Sequence, residues 1–136
     1  MEQLCDRESG LRALGGTSDM RALLAAAPRE TGAALAIAVF CAGVRKAIGA
    51  FAAVLGGLDV LAFTGGVGAH APAIRAAICR DLAFLGLQID DAANERGASE
   101  IGAPGAAARV LALAADEERE MARETRTLLG LSRERR

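Results

Sequence analysis

Three closely spaced glycines that follow an apolar run are the residues of this sequence best suited to chemistry. Residues 58–70 read LDVLAFTGGVGAH: an apolar run from Leu58 to Phe63, interrupted by Asp59, then Thr64 and the glycines Gly65, Gly66 and Gly68. Ala71 and Pro72 follow, and from there the apolar spacing becomes helical. Strand, glycine turn and helix is the order in which α/β proteins hold a nucleotide at the carboxyl edge of a sheet. Glycine allows positive φ and lets a ligand approach bare backbone. Pro72 suits the first turn of a helix, where its missing N–H costs nothing. The same residues also make a plain βα turn that binds nothing, because a glycine-rich turn is by itself a weak motif.

Composition narrows the chemistry. The 136 residues amount to one domain, and a hydrophobic content of 52% is enough for a core. Net charge is −1 with the basic residues scattered, which argues against nucleic acid or an anionic membrane as partner. With four Phe and no Trp or Tyr there is no base-stacking platform. Lys46 is the sole lysine, so no P-loop G-K-[ST] exists. Cys5, Cys41 and Cys79 are widely spaced with no C-x-x-C pair and read as reduced cytosolic thiols, the latter two buried. A cysteine nucleophile needs an adjacent base, and His70 is the one histidine. The start, MEQLCDRE, is acidic and polar, unlike a signal peptide. The apolar run 33–44 is closed off by Arg29 and Glu30 before it and by Arg45 and Lys46 after it. It falls short of the roughly 20 residues of a spanning helix and reads as a buried core helix. A soluble, cytoplasmic protein is expected.

The elements that must position the glycines follow in order. Residues 1–17 read as irregular, with turn glycines Gly10, Gly15 and Gly16. Thr17 or Ser18 can cap a short helix over 19–26, with Asp19 in its first turn. Pro28 opens a long helix to about 55, with one stripe at Leu35, Val39, Ala42 and Ala47 and another at Ile37, Phe40, Val44, Ile48 and Phe51. Two stripes predict burial on more than one side. Gly32, Gly43 and Gly49 within it point to close packing against a neighbour, and Gly56-Gly57 ends it. A strand over 59–64 leads into the glycine turn, then a helix runs from 72 to about 84. Its apolar face is Ile74, Ala77, Ile78, Leu82 and Leu85, with Arg75, Arg80 and Asp81 facing water. Gly86 stops it, 87–89 is a short extended piece, and Asp90 or Asp91 caps a helical turn to 95. A loop covers 97–107, a second strand 109–113, and Asp116 starts a last helix, 117–129, before a frayed tail over 132–136. The pattern predicts an α/β chain with a small parallel sheet flanked by helices. Two or three strands leave such a sheet short of neighbours, so the chain reads as part of a larger α/β domain.

Three blocks resemble one family. SGLRALGGTSDMR (residues 9–21) resembles the acetate kinase block S-G-L-x-G-x-S-x-x-S-x-D-M-R. FTGGVGAH (63–70) is similar to F-T-G-G-I-G-E-N, and ADEEREMARET (115–125) to T-N-E-E-x-x-I-A-R-E-T. Order and spacing agree, as do GGLD before the strand and FLGLQID after the helix. The resemblance covers essentially all of residues 1–136 but only the carboxyl-terminal part of a family member. It implies a partial actin-like/sugar-kinase (ribonuclease H-like) domain and the reaction ATP + acetate giving ADP + acetyl phosphate, with Mg²⁺. It also implies that Asp19, Met20 and Arg21 lie beside ATP or ADP, that Gly65, Gly66, Val67, Gly68, Ala69 and His70 line the nucleotide, and that Glu117 is the metal-associated carboxylate.

These roles suit the residue types, since a hard cation takes carboxylate oxygen and phosphoryl transfer depends on positioning and on charge neutralisation. Each residue also has a plainer reading: Asp19 as a first-turn acid, Glu117 as a solvated residue favoured by the helix dipole, Arg21 as a surface partner of Asp19 or Glu30. Two departures stand out. Ala69 and His70 replace the family's glutamate and asparagine, and Asp116 replaces an asparagine. No catalytic residue is expected in this chain, because the family's opening phosphate segment, substrate arginine and catalytic aspartate belong to sequence that is absent here. The resemblance therefore implies a nucleotide-binding half-site, inactive without the missing amino-terminal part and able to work if a separate chain supplies it. The alternatives are a non-catalytic binding or dimerisation module, since family members pair through this part, and a truncated relic.

Overall fold

The computed structural model describes residues 8–129, without the side chains of Glu117 and Glu118. The expected tail 132–136 lies outside the described residues. Three helices come first: α1 (Gly10–Gly15), α2 (Met20–Ala26) and α3 (Thr31–Leu55). Strand β1 (Val60–Phe63) follows, then α4 (Gly65–His70), α5 (Pro72–Cys79), a 3-10 turn at Ala83–Leu85 and α6 (Asp91–Glu95). Strand β2 (Arg109–Ala112) and α7 (Glu117–Leu128) complete the described chain.

The two strands pair in parallel, Val60 opposite Arg109 through Phe63 opposite Ala112, as the strand–helix–strand pattern predicts. On its other side β2 is covered by the segment before it: Ile101 N donates to Val110 O at 2.8 Å and Ala112 N to Ser99 O at 2.9 Å. Part of the expected loop 97–107 thus runs antiparallel beside β2, which satisfies backbone groups that a free loop would leave to water. The expected extended piece 87–89 contributes bridges at Leu87 and Ile89. One apolar cluster, including Met20, Leu23, Ala36, Phe63, Ile74, Ile78, Leu87, Ile101 and Val110, joins the helices to the sheet.

Local chemistry accounts for the element ends. Asp90 accepts from the Ala93 N–H at 2.9 Å and Asp116 from the Arg119 N–H at 3.0 Å, both as N-caps. Gly56 closes α3 with φ +76° and Gly86 closes the 3-10 turn with φ +79°, a conformation that favours glycine.

Four expectations are corrected. Residues 10–15 form a helix because α1 packs on α3, contact that overrides their glycine content. Pro28 sits in the turn before α3 rather than opening it, since the amides of Arg29 and Glu30 both turn back to Ala26 O. The helix after Pro72 ends at Cys79, where bonding tightens to the 3-10 pattern and turns Leu82 into the core. Finally, α3 is not buried on more than one side. Ala33, Ala36, Cys41 and Ala52 are buried, whereas Phe51 is 67% and Val54 84% exposed, with Leu35, Val39 and Leu55 exposed beside them. Its full 25 residues, with a mean hydropathy of 1.7 in the most apolar window, make it long and apolar enough to cross a membrane by length and composition. Its other side is a protein-packing face: Arg45, in mid-helix, donates to Ala77 O at 2.8 Å and pairs with Asp81 at 2.8 Å, clasping the end of α5.

The glycines of α3 divide in the same way. A Cβ on Gly32 would lie 2.7 Å from Leu14 O, a backbone atom, whereas Cβ atoms on Gly43 and Gly49 would meet nothing within 4 Å. The expected close packing therefore holds at Gly32, and among the described residues nothing packs at Gly43 and Gly49. Helix propensity favours alanine over glycine by about 1 kcal/mol at each site. Urea denaturation should show Gly43→Ala and Gly49→Ala stabilising by up to about that amount, and Gly32→Ala destabilising. Stabilisation by Gly32→Ala would contradict the close α1–α3 contact.

Candidate functional site

The glycine block is more ordered than a loop. Thr64 is extended at φ −144° and Gly65 turns at φ +70°, so that residues 65–70 wind into the short helix α4. The expectation of a turn followed by one helix from Pro72 becomes two helices joined at Ala71, whose N–H donates to Val67 O at 3.0 Å.

The three glycines do different work. Cβ atoms on Gly65 and Gly66 would meet nothing within 4 Å, so their exposed backbone is open to an incoming group. A Cβ on Gly68 would lie 3.2 Å from the carbonyl carbon of Phe63, so Gly68 lets α4 fold back on β1. Val67 is half-buried against the core, Ala69 is half-buried, and His70 is exposed at the helix end.

Behind the open side lies Arg75, expected to face water and found 1% exposed. Its Nη1 donates to Gly68 O and to Ala69 O, each at 2.9 Å. Its Nε donates to Asn94 Oδ1 at 2.7 Å and its Nη2 to Asn94 O at 3.0 Å. Asn94, also 1% exposed, in turn donates through Nδ2 to Pro72 O at 3.0 Å. Among the described residues no carboxylate lies within ion-pair distance of Arg75. Burial lowers its pKa from the ordinary arginine value, with the charge of Glu95 opposing, and the guanidinium stays protonated. Arg75 and Asn94 are the site-supporting residues that sequence reasoning missed. The available signal was slight: Arg75 is the one charge in PAIRAAIC and directly follows the buried Ile74.

The second segment is built on a cap. Asp19, expected in the first turn of α2, is itself the N-cap, accepting from the Arg21 N–H at 2.9 Å, while its own N–H donates to Thr17 Oγ1 at 3.1 Å. That backbone bond, with the Arg21 guanidinium 3.5 Å away, holds the Asp19 carboxyl below its usual range. Met20 is buried and Arg21 projects into solvent. Met20 and Val67 enter the same apolar cluster, so the two segments are tied through the core. Among the described residues no hydrogen bond or ion pair joins them directly.

The backbone of α7 starts at Glu117, but the side chain expected to meet a metal lies outside the described residues. Among the described residues no three His, Cys, Asp or Glu side chains are placed to hold a metal ion. Magnesium is commonly held by one or two carboxylates plus substrate phosphates, a donor set that one glutamate and a nucleotide fit. Cys41 and Cys79 are buried as expected, and burial raises both thiols, Cys79 to about 12, which leaves neither poised as a nucleophile.

Comparison with known proteins bears on the family and the fold. The sequence model described as the Acetokinase family matches residues 1–123. An acetate kinase of Nitratidesulfovibrio vulgaris is 39% identical over 136 residues, covering 96% of this chain and 33% of the relative. A propionate kinase of Citrobacter rodentium is 43% identical over 129 residues, covering 91% of this chain and 31% of the relative. The crystal structure of Porphyromonas gingivalis acetate kinase superposes with a TM-score of 0.86 at 34% identity, over 94% of this chain and 33% of that one. The chain thus spans about a third of the length of the curated relatives it matches.

The two kinds of glycine separate in a stability measurement. Gly68→Ala presses a methyl group onto the Phe63 carbonyl and should destabilise by about 1–3 kcal/mol, the usual cost of overpacking. Gly66→Ala has open space and should be neutral or stabilising. Equal urea midpoints for the two variants would refute the division.

Proposed function

The chain belongs to the acetokinase family and carries part of its actin-like fold, and from this we propose that it forms the nucleotide-binding half-site of a short-chain carboxylate kinase. The observation that carries the reading is the split among the glycines: backbone left bare at Gly65 and Gly66, beside Gly68 packed tightly against β1. In this reading ATP or ADP lies along Gly65, Gly66, Val67, Gly68, Ala69 and His70, with Asp19, Met20 and Arg21 on its other side. Glu117 and the phosphates together hold Mg²⁺, which would offset negative charge on the phosphates. The chain's own part is to bind and orient. Ala69 offers no polar group where the family pattern has a carboxylate, so nucleotide contacts there fall to backbone and to His70.

The overall reaction is transfer of a phosphoryl group from ATP to acetate or a close homologue such as propionate, in the cytoplasm. In this reading the acceptor acid and the reacting groups are met by an amino-terminal part of the kind the family resemblance implies, outside residues 1–136.

The exposed row Leu35, Val39, Phe51, Val54 and Leu55 on α3 favours a second reading, a dimerisation surface covered by another copy. Light scattering at micromolar concentration should then give twice the 13.9 kDa chain mass, and a monomer would count against it.

Calorimetric titration with Mg-ATP and Mg-ADP tests the half-site. Binding between micromolar and sub-millimolar is expected, abolished by Gly66→Val with little change in thermal stability and weakened by Asp19→Ala. A folded wild-type chain that binds neither nucleotide would sink the half-site. Joined to or mixed with an amino-terminal part of the family, the chain should yield ATP-dependent acetyl phosphate, and an inactive assembly would count against the kinase reading.

A further inference from the structure

The half-site reading leaves open what holds the glycine block in shape. Six residues of which three are glycine have little rigidity of their own, since glycine loses the most conformational freedom on ordering. On the block's open side a Cβ built on Gly65 or Gly66 would meet nothing within 4 Å among the described residues, so no side-chain packing there fixes it. Its closed side ends in two carbonyls, Gly68 O and Ala69 O, and both accept from one nitrogen, Nη1 of Arg75. The rest of that guanidinium is taken up by Asn94, from a helix nineteen positions further on, and Asn94 reaches back to Pro72 O at the start of α5.

Resting on the half-site reading, we infer that Arg75, oriented by Asn94, is the positioning residue of this site: its hydrogen bonds to Gly68 O and Ala69 O set the backbone on which a nucleotide lies. Planarity is essential to this role. The fork addresses four acceptors in fixed directions, whereas a lysine in the same place has one rotatable ammonium and cannot reach both the block and Asn94. Asn94 is equally specific, because its amide gives one acceptor to Arg75 and one donor to Pro72 O. A purely structural arginine would distribute its effect over the whole fold. This one touches the block and α6, and through Asn94 the start of α5, so its loss should be felt there first.

Amide hydrogen exchange of the whole chain, read by segment, with Mg-ADP titration of the same samples, tests the assignment. Arg75→Lys and Asn94→Leu should each speed exchange across residues 65–71 by about tenfold or more, the loss of one charge-assisted hydrogen bond. Exchange in α1–α3 should barely change. Asn94→Asp, which keeps an acceptor for Arg75 Nε, should retain protection of the block. Arg45→Met, which removes the clasp between α3 and α5, serves as a destabilised control whose block exchanges no faster than its other helices. Mg-ADP affinity should fall about tenfold in Arg75→Lys, in step with block exchange.

Faster exchange spread evenly over all helices, or outright unfolding of both Arg75→Lys and Asn94→Leu, makes the pair merely structural and overturns the inference. So does a mobilised block that binds Mg-ADP as tightly as wild type. If the wild-type chain binds no Mg-ADP, the half-site reading fails by that fact, and the exchange pattern still decides whether Arg75 sets the block.

Discussion

A buried guanidinium with no carboxylate partner among the described residues is the constraint on which this part of the molecule depends. Moving such a charge out of water costs several kcal/mol unless every donor is met. Arg75 comes close to that condition: every guanidinium nitrogen is engaged and four of the five N–H groups find acceptors, two in the glycine block and two on Asn94. Hydrogen bonds to a charged group contribute roughly 1.5–3 kcal/mol each, so the arrangement is favourable complete and costly with a member missing. The glycine block, the start of α5 and α6 consequently share one electrostatic requirement, although they are far apart along the chain.

Around that centre the site is assembled from unlike parts. Glycine block geometry comes from a strand that ends at Phe63, a glycine at 65 that turns, and a glycine at 68 that allows close approach. The segment at residues 19–21 rests instead on a capped helix held by Met20 in the core. Their common link is apolar, through Met20, Phe63 and Val67, so the relative placement of the two segments follows from packing density rather than from polar contacts.

What could be read in the sequence was what is local. Asp90 and Asp116 announced caps, Gly56 and Gly86 announced helix ends, and alternating composition around residues 58–72 announced strand, turn and helix. Arg75 was hidden because its acceptors are backbone carbonyls and an asparagine in a distant helix, and a lone charge beside an apolar stripe ordinarily faces water. Helix α1 was hidden because its support comes from α3 rather than from its own residues. In α3, periodicity revealed which positions are apolar but not what covers them, and so Phe51 and Val54 gave no warning of their exposure.

The sheet, finally, is lopsided. On β2 both long edges are occupied, one by β1 and the other by residues 99–102. On β1 the edge away from β2 has no backbone partner among the described residues, and Val60 at its start is 44% exposed. Main-chain donors and acceptors in such a row template further strands. Growth of this sheet is therefore one-sided: a strand joining it must align along Val60–Phe63 and end beside Thr64. The polypeptide that completes the sheet and the backbone bared at Gly65 and Gly66 would then be immediate neighbours, so extension of the sheet and shaping of the cleft are geometrically a single event.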